Sequence, residues 1–165
     1  MSLDSTVGGA SANSYVTQAT AATYFADRLD ATEWDDAVTG GTAESALIMA
    51  TTRLDAERYR GSRTYSTQRL QWPRWGVYDP DDIWMYSHQT IPDPIKVATY
   101  ELALVILKDT TYMGDTGLEA FDSVTVGPLS IDPRHQMTPA LPGIVLQVLQ
   151  HLLLGGGFST KVVRA

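Results

Sequence analysis

At 165 residues, with 44% hydrophobic content and no cysteine, the chain is long enough for one domain with its own core, and it excludes disulfide frameworks, cysteine-ligated zinc and a cysteine nucleophile. Its formal charge of −7 excludes a protein that grips nucleic acid over its whole surface, because such proteins carry a basic excess that displaces counterions from phosphate. No apolar run approaches the ~18 residues of a membrane span, and "MSLDSTVGGASANSYV" lacks the basic-then-apolar order of a signal peptide.

In chain order, the spacing predicts a first helix from about Gln18 to Leu29, capped by Thr17, with Ala22, Phe25 and Leu29 on one face. "ATEWDD" predicts a short helical turn anchored by Trp34. "TGGT" breaks the chain, and Thr42 can cap a helix running to about Tyr59, whose stripe is Leu47, Ala50 and Leu54 while Arg53, Glu57 and Arg60 point elsewhere. Gly61 ends it. Residues 61–91 have no helical period and form a long loop, a feature that tends to be functional in compact domains. Asp93 can cap the next helix, with Pro94 in its first turn and Ile95, Ala98, Leu102, Val105 and Ile106 at helical spacing; its breadth of apolar surface makes it the central helix. "SVTVGPLSID" reads as strand, with a change of parity at Gly127–Pro128 where a bulge or kink is expected. A last helix runs from about Leu141 to Leu154, with Ile144, Val145, Val148, Leu149 and Leu152 inward, and Gly155–Gly157 stops it. The fold class is therefore mainly α: a bundle of about four helices with a short β-strand or hairpin element and a long central loop. It forms a single domain over residues 1–157, followed by a flexible C-terminal arm, 158–165.

Catalytic and metal chemistry find no support. His88, His135 and His151 are far apart and lack ligand spacing, and "DPDDI" (Asp79–Ile83) misses the central Gly and closing Glu of a calcium loop. "GGGFSTK" lacks the Gly-Lys-Ser/Thr order of a phosphate loop and follows a helix instead of opening one. No nucleophile stands with a base, so neither an enzyme nor a cofactor is expected.

Charge is placed unevenly. Residues 53–74 hold six arginines (Arg53, Arg58, Arg60, Arg63, Arg69 and Arg74) against Asp55 and Glu57, leaving six bases against seventeen acids elsewhere. The same region leads into "LQWPRWGVYDPDD" (Leu70–Asp82), which admits three readings. Aromatic rings interleaved with arginine, from Arg58 to Tyr78, can stack single-stranded bases. Alternatively, Trp72 and Pro73 pack on the helices and Arg74 satisfies loop carbonyls. The third reading is an inter-subunit contact, since Trp, Tyr and Arg are enriched at interface hot spots.

The order "ANSYV" (Ala12–Val16), "YFADRL" (Tyr24–Leu29), "ALIMATTRLDA" (Ala46–Ala56), "LQWPRWGVYD" (Leu70–Asp79), "IPDPIKVATYELAL" (Ile91–Leu104) and "VGPLSID" (Val126–Asp132) resembles small proteins of the head–tail module of long-tailed phages and prophages, some of which carry the label DnaT-like single-stranded-DNA-binding protein. The resemblance covers about residues 9–132. It implies a structural virion protein, a head-to-tail connector or adaptor, in a ring of about twelve copies with head-to-tail cyclic contacts. The implied partners are further copies of itself, the portal protein and the next head–tail or tail-completion protein, with double-stranded DNA passing through an acidic channel without specific binding and no membrane contact. The implied location is the head–tail interface of the virion, and the host cytoplasm during assembly. Trp72, Pro73, Arg74 and Gly76 are then the structural pin of the loop. Arg60, Arg63, Arg69, Trp75, Tyr78 and Trp84 are the inter-subunit or partner contacts, and Phe158, Lys161, Val162, Val163 and Arg164 form a portal-binding arm. The alternative is a DnaT-like single-stranded-DNA-binding protein using the Arg/aromatic loop 58–78. Two departures stand out: Trp75 where many relatives have a small or polar residue, and a loop enlarged after Asp79 by "PDDIWMYSHQT".

Overall fold

A computed structural model describes residues 2–113, the strands at 124–126 and 129–131, and residues 141–154. Among the described residues, five helices (α1–α5) and two small two-stranded antiparallel sheets make a mainly helical fold. Among the described residues no helix is long and apolar enough to cross a membrane.

Helix α1, Gln18–Ala26, begins as predicted at Thr17. The Thr17 hydroxyl accepts from the Thr20 amide at 3.1 Å and the Thr20 hydroxyl accepts from the Thr17 amide at 3.2 Å, a reciprocal cap that satisfies two otherwise orphaned donors. The helix ends earlier than predicted. It buries Ala21 and Phe25; Ala22 is exposed, and Leu29, predicted inward, is 98% exposed. The chain turns after Ala26 so that α2, Thr32–Gly40, can bring Trp34 against Phe25 with ring centroids 4.6 Å apart. Helical periodicity stops governing Leu29 once the helix has ended. Helix α2 is a full element in place of the short turn predicted, and Trp34 is its buried anchor. Gly41 closes it at φ +74°, the left-handed conformation that favours glycine.

Helix α3, Ala43–Asp55, presents Leu47, Ala50 and Leu54 to the core as predicted. Two details differ. Thr42 precedes the helix but its side chain makes no cap bond. Arg53, predicted to point away, is buried and ion-paired with Glu57 at 2.7 Å. The helix also stops well short of Tyr59, because Tyr59 is recruited into a β-bridge with Leu153. The Arg60 amide donates to the Leu152 carbonyl at 2.9 Å, and the Leu154 amide donates to the Arg58 carbonyl at 2.8 Å.

Helix α4, Asp93–Lys108, is the centre of the bundle and packs against α2, α3 and α5. Nine of its sixteen residues are buried, which is why its apolar surface exceeds one stripe. Pro92 occupies the cap position and Asp93 the first helical turn, where it pairs with Lys96 at 2.8 Å instead of capping. Buried Glu101 accepts from the Tyr24 hydroxyl at 2.5 Å and pairs with Arg28 at 3.0 Å, so its charge is not left alone in the core. Burial, reinforced by Glu101, pushes the Tyr24 phenol up to about 12, which keeps it a donor across the neutral range.

The expected β-strand or hairpin element is an antiparallel pair, β3 (Val124–Val126) and β4 (Leu129–Ile131), paired Val124↔Ile131, Thr125↔Ser130 and Val126↔Leu129. The bulge or kink expected at Gly127–Pro128 falls outside the described residues. Helix α5, Gly143–Leu149, buries Val145 and Leu149, and Leu152 follows them into the core. Ile144, predicted inward, is 41% exposed, and the helix ends early because the chain straightens to meet Tyr59. The predicted arm, including Phe158, Lys161, Val162, Val163 and Arg164, lies outside the described residues.

Candidate contact surface on the long loop

The irregular stretch between α3 and α4 is held by three polar anchors. The first is Arg74, only 8% exposed. Its Nε donates to the Arg60 carbonyl at 2.7 Å, its Nη2 to the Gly61 carbonyl at 2.6 Å and the Tyr59 carbonyl at 3.3 Å, and its Nη1 to Gln71 Oε1 at 2.9 Å. One guanidinium therefore satisfies three successive carbonyls that no regular element pairs. The second anchor is buried Gln68, whose Nε2 donates to the Leu70 carbonyl at 2.7 Å and the Pro73 carbonyl at 3.2 Å while its Oε1 accepts from the Tyr65 amide at 2.9 Å. The third is Asp55 at the end of α3, which accepts from the Gln71 amide at 2.6 Å and from the Tyr15 hydroxyl. Burial, together with the Asp55 charge, holds the Tyr15 phenol well above its usual range, so it remains a donor.

Trp72 and Pro73 supply the apolar part of the pin. Trp72 is 1% exposed and meets Tyr59 edge to face at 5.4 Å; the Trp72–Pro73 peptide bond is cis. Beyond it, β2 (Arg74–Trp75) pairs antiparallel with β1 (Ser62–Arg63) in the register Ser62↔Trp75 and Arg63↔Arg74. In β2, Arg74 turns inward and Trp75 is displayed outward, while Arg63 opposite Arg74 stays exposed, its Nη1 donating to the Gln68 carbonyl at 3.3 Å. Trp75 is 50% exposed and packs edge-on against His88 at 4.5 Å. The backbone then forms a hairpin in which Tyr78 bridges Met85, the Asp79 amide donates to the Trp84 carbonyl at 2.9 Å, and the Tyr86 amide donates to the Val77 carbonyl at 2.9 Å. The Asp79 carboxylate accepts from the Ile83 amide at 2.8 Å and the Trp84 amide at 3.0 Å, which fixes the tip. "DPDDI" is thus a hairpin end, and it displays Ile83, Trp84 and Met85 to solvent, Trp84 being 74% exposed.

The arginine cluster splits in two. Arg53 and Arg74 are buried structural groups. Arg58, Arg60, Arg63 and Arg69 are exposed, and among the described residues none of them has an ion pair. Exposed Tyr65, Trp75, Tyr78 and Trp84 accompany them. Of the residues singled out from sequence, Trp72, Pro73 and Arg74 come together as one buried pin. Gly76 sits exposed at φ +74° between Trp75 and Val77, and Arg60, Arg63, Arg69, Trp75, Tyr78 and Trp84 stand on the surface. Sequence reasoning missed Tyr15, Asp55 and Gln68, whose importance comes from backbone groups far along the chain. It also missed the contact between the Tyr86 hydroxyl and His151 Nε2 at 3.2 Å, which ties the hairpin to the turn after α5. Burial first, and Arg60 second, lower the His151 pKa.

The class these features define is a helical bundle that presents an arginine- and aromatic-rich loop. The chain belongs to the family described as "Putative DnaT-like ssDNA binding protein", whose model matches residues 1–165. No curated protein matches the chain, and no solved structure does.

Two predictions concern the pin. Trp72→Ala removes a buried ring and is expected to cost about 3–5 kcal/mol in chemical denaturation, while Trp75→Ala, half exposed, costs much less. Equal losses would show that the two tryptophans do not divide into pin and display. Gly61 and Gly76 both have positive φ, but a Cβ on Gly61 would lie 2.2 Å from the Trp75 carbonyl oxygen, whereas Gly76 faces open space. Gly76→Ala is therefore expected to cost about 1–2 kcal/mol from backbone strain alone, and Gly61→Ala clearly more, as read from the shift in denaturation midpoint.

Proposed function

We propose that the chain is a non-catalytic binding protein that holds single-stranded DNA on the exposed arginine–aromatic surface of residues 58–84. The observation that carries this reading is the set Arg58, Arg60, Arg63 and Arg69, exposed and without ion pairs among the described residues, beside exposed Tyr65, Trp75, Tyr78 and Trp84. Such a surface offers charge to the phosphates and flat rings to the bases, and ring stacking tolerates any sequence. The family description names the same ligand class. A net charge of −7 keeps the rest of the surface repellent to phosphate, which confines binding to this loop and makes it steeply salt-dependent.

A second reading has its own support. Outside residues 53–74 the chain carries six bases against seventeen acids, the balance of a structural part that DNA passes without sticking. Together with the motif order that resembles phage head–tail proteins, this supports a connector ring beneath a portal, with the exposed arginines paired to acids of the next subunit.

Fluorescence anisotropy with a labelled oligothymidylate separates the two. On the DNA reading, log K falls against log salt with a slope of about −3, because each contacted phosphate contributes about −0.7. Replacing the four exposed arginines with alanine abolishes binding, and Trp84→Ala weakens it by about 1–3 kcal/mol if a base stacks there. Failure to bind at ~150 mM salt rejects the DNA reading. The connector reading then predicts that the same arginine variant blocks joining of tails to filled heads.

A further inference from the structure

The loop surface carries charge of both signs. Arg58, Arg60, Arg63 and Arg69 are exposed and have no ion pair among the described residues, and the same holds for Asp81 and Asp82 at the hairpin tip. The two sets belong to one region of the fold. The Arg60 amide donates to the Leu152 carbonyl at 2.9 Å, and His151, one residue back, meets the Tyr86 hydroxyl of the hairpin at 3.2 Å. The pairing of Ser62 with Trp75 likewise sets the arginine stretch beside the chain that enters the hairpin. The tip is fixed by its own bonds: the Asp79 carboxylate takes the Ile83 and Trp84 amides, and Asp82 turns the chain at φ +56°, a left-handed conformation that aspartate tolerates better than most residues. Apolar surface is concentrated in the same place. Among the described residues, six of the thirteen exposed large hydrophobic side chains (Tyr65, Trp75, Tyr78, Ile83, Trp84 and Met85) lie between positions 65 and 85, a stretch that gains by being covered.

We propose that this surface pairs with the same surface of a second copy, the acidic and apolar tip of each chain resting on the arginines of the other. The occupant follows from charge. Asp81 and Asp82 repel phosphate, so the end of the hairpin that displays Trp84 calls for a basic protein surface. Of the nine Lys and Arg among the described residues, Arg28, Arg53, Lys96 and Lys108 are ion-paired and Arg74 is buried. The four that remain exposed and unpaired are those of the loop, so they are what a second copy offers the tip. Because each chain holds both halves, a two-fold axis makes both contacts at once. This closed pair differs from the head-to-tail contacts of a connector ring. The pairing stands without the DNA reading; its consequence, that a second copy and DNA compete for the same arginines, rests on that reading.

Sedimentation velocity of the chain without DNA, at low salt and up to about 100 µM protein, tests the pairing. A doubling of mass that reverses on raising salt to ~1 M is expected. Two charge variants sharpen the test. In one, Asp81→Lys with Asp82→Asn makes the tip basic, asparagine being accepted at positive φ. In the other, Arg58→Glu, Arg60→Glu and Arg69→Glu make the arginine surface acidic. Each alone is expected to lose self-association by about tenfold or more. Mixed in equal amounts they are expected to form one-to-one pairs, since every contact then joins opposite charges, and that recovery shows both to be folded. Trp84→Ala, at a side chain 74% exposed, is expected to leave the melting temperature nearly unchanged and to weaken pairing by about tenfold. A chain that stays monomeric throughout, variants that pair as well as the parent, or a mixture of the folded variants that remains monomeric or grows beyond pairs overturns the proposal. DNA binding is read separately by anisotropy, so a chain that binds DNA and never pairs refutes this inference alone.

Discussion

The long loop depends on one guanidinium. Arg74 opens the short strand β2, and from there it donates to the carbonyls of Tyr59, Arg60 and Gly61 in turn. Without those bonds three buried or half-buried acceptors would lose their partners together, and each such loss costs about 1–3 kcal/mol. The placement of Trp72 against Tyr59, the β1–β2 pairing and the outward display of Trp75 all follow from the path that Arg74 fixes. Lysine could not replace it, since its single nitrogen cannot match a row of carbonyls from a planar fork.

The consequence for recognition is a division of labour within one short cluster of like residues. Arg53 and Arg74 serve the fold, while Arg58, Arg60, Arg63 and Arg69 remain free of ion pairs among the described residues. The tryptophans divide in the same way, Trp72 inside and Trp75 and Trp84 outside. A rigid scaffold carrying a displayed loop is a common arrangement for binding proteins, because the scaffold lowers the ordering cost when a ligand arrives.

Much of the bundle was legible because it is local. Ile95, Ala98 and Leu102 recur at helical spacing and are fully buried, and Thr17 marks a helix start through a bond made within three residues. The misreadings have separate causes. Leu29 lies beyond the end of α1, where helical spacing no longer governs it, and Ile144 stands on α5 next to Val145, which takes the buried position instead, a choice between two adjacent apolar residues that residue type does not decide. Asp55 and Gln68 were invisible as anchors because polar side chains advertise nothing until the backbone groups they satisfy are brought near. The pin of Trp72, Pro73 and Arg74 could be read from residue type. What the exposed surface holds could not, since an arginine facing a phosphate and one facing a carboxylate have the same sequence.

The contact between Tyr86 and His151 makes the loop responsive to acidity. The imidazole is kept neutral by burial and by the nearby Arg60 charge, so its affinity for a proton is lower in the folded chain than in the unfolded one. Stability from this contact is complete above the ordinary histidine range. It drains away as the medium becomes more acidic, because the unfolded chain then takes up the proton first. Acidification through the ordinary histidine range therefore subtracts from the stability of the folded chain through an imidazole that sits where the hairpin meets the C-terminal turn.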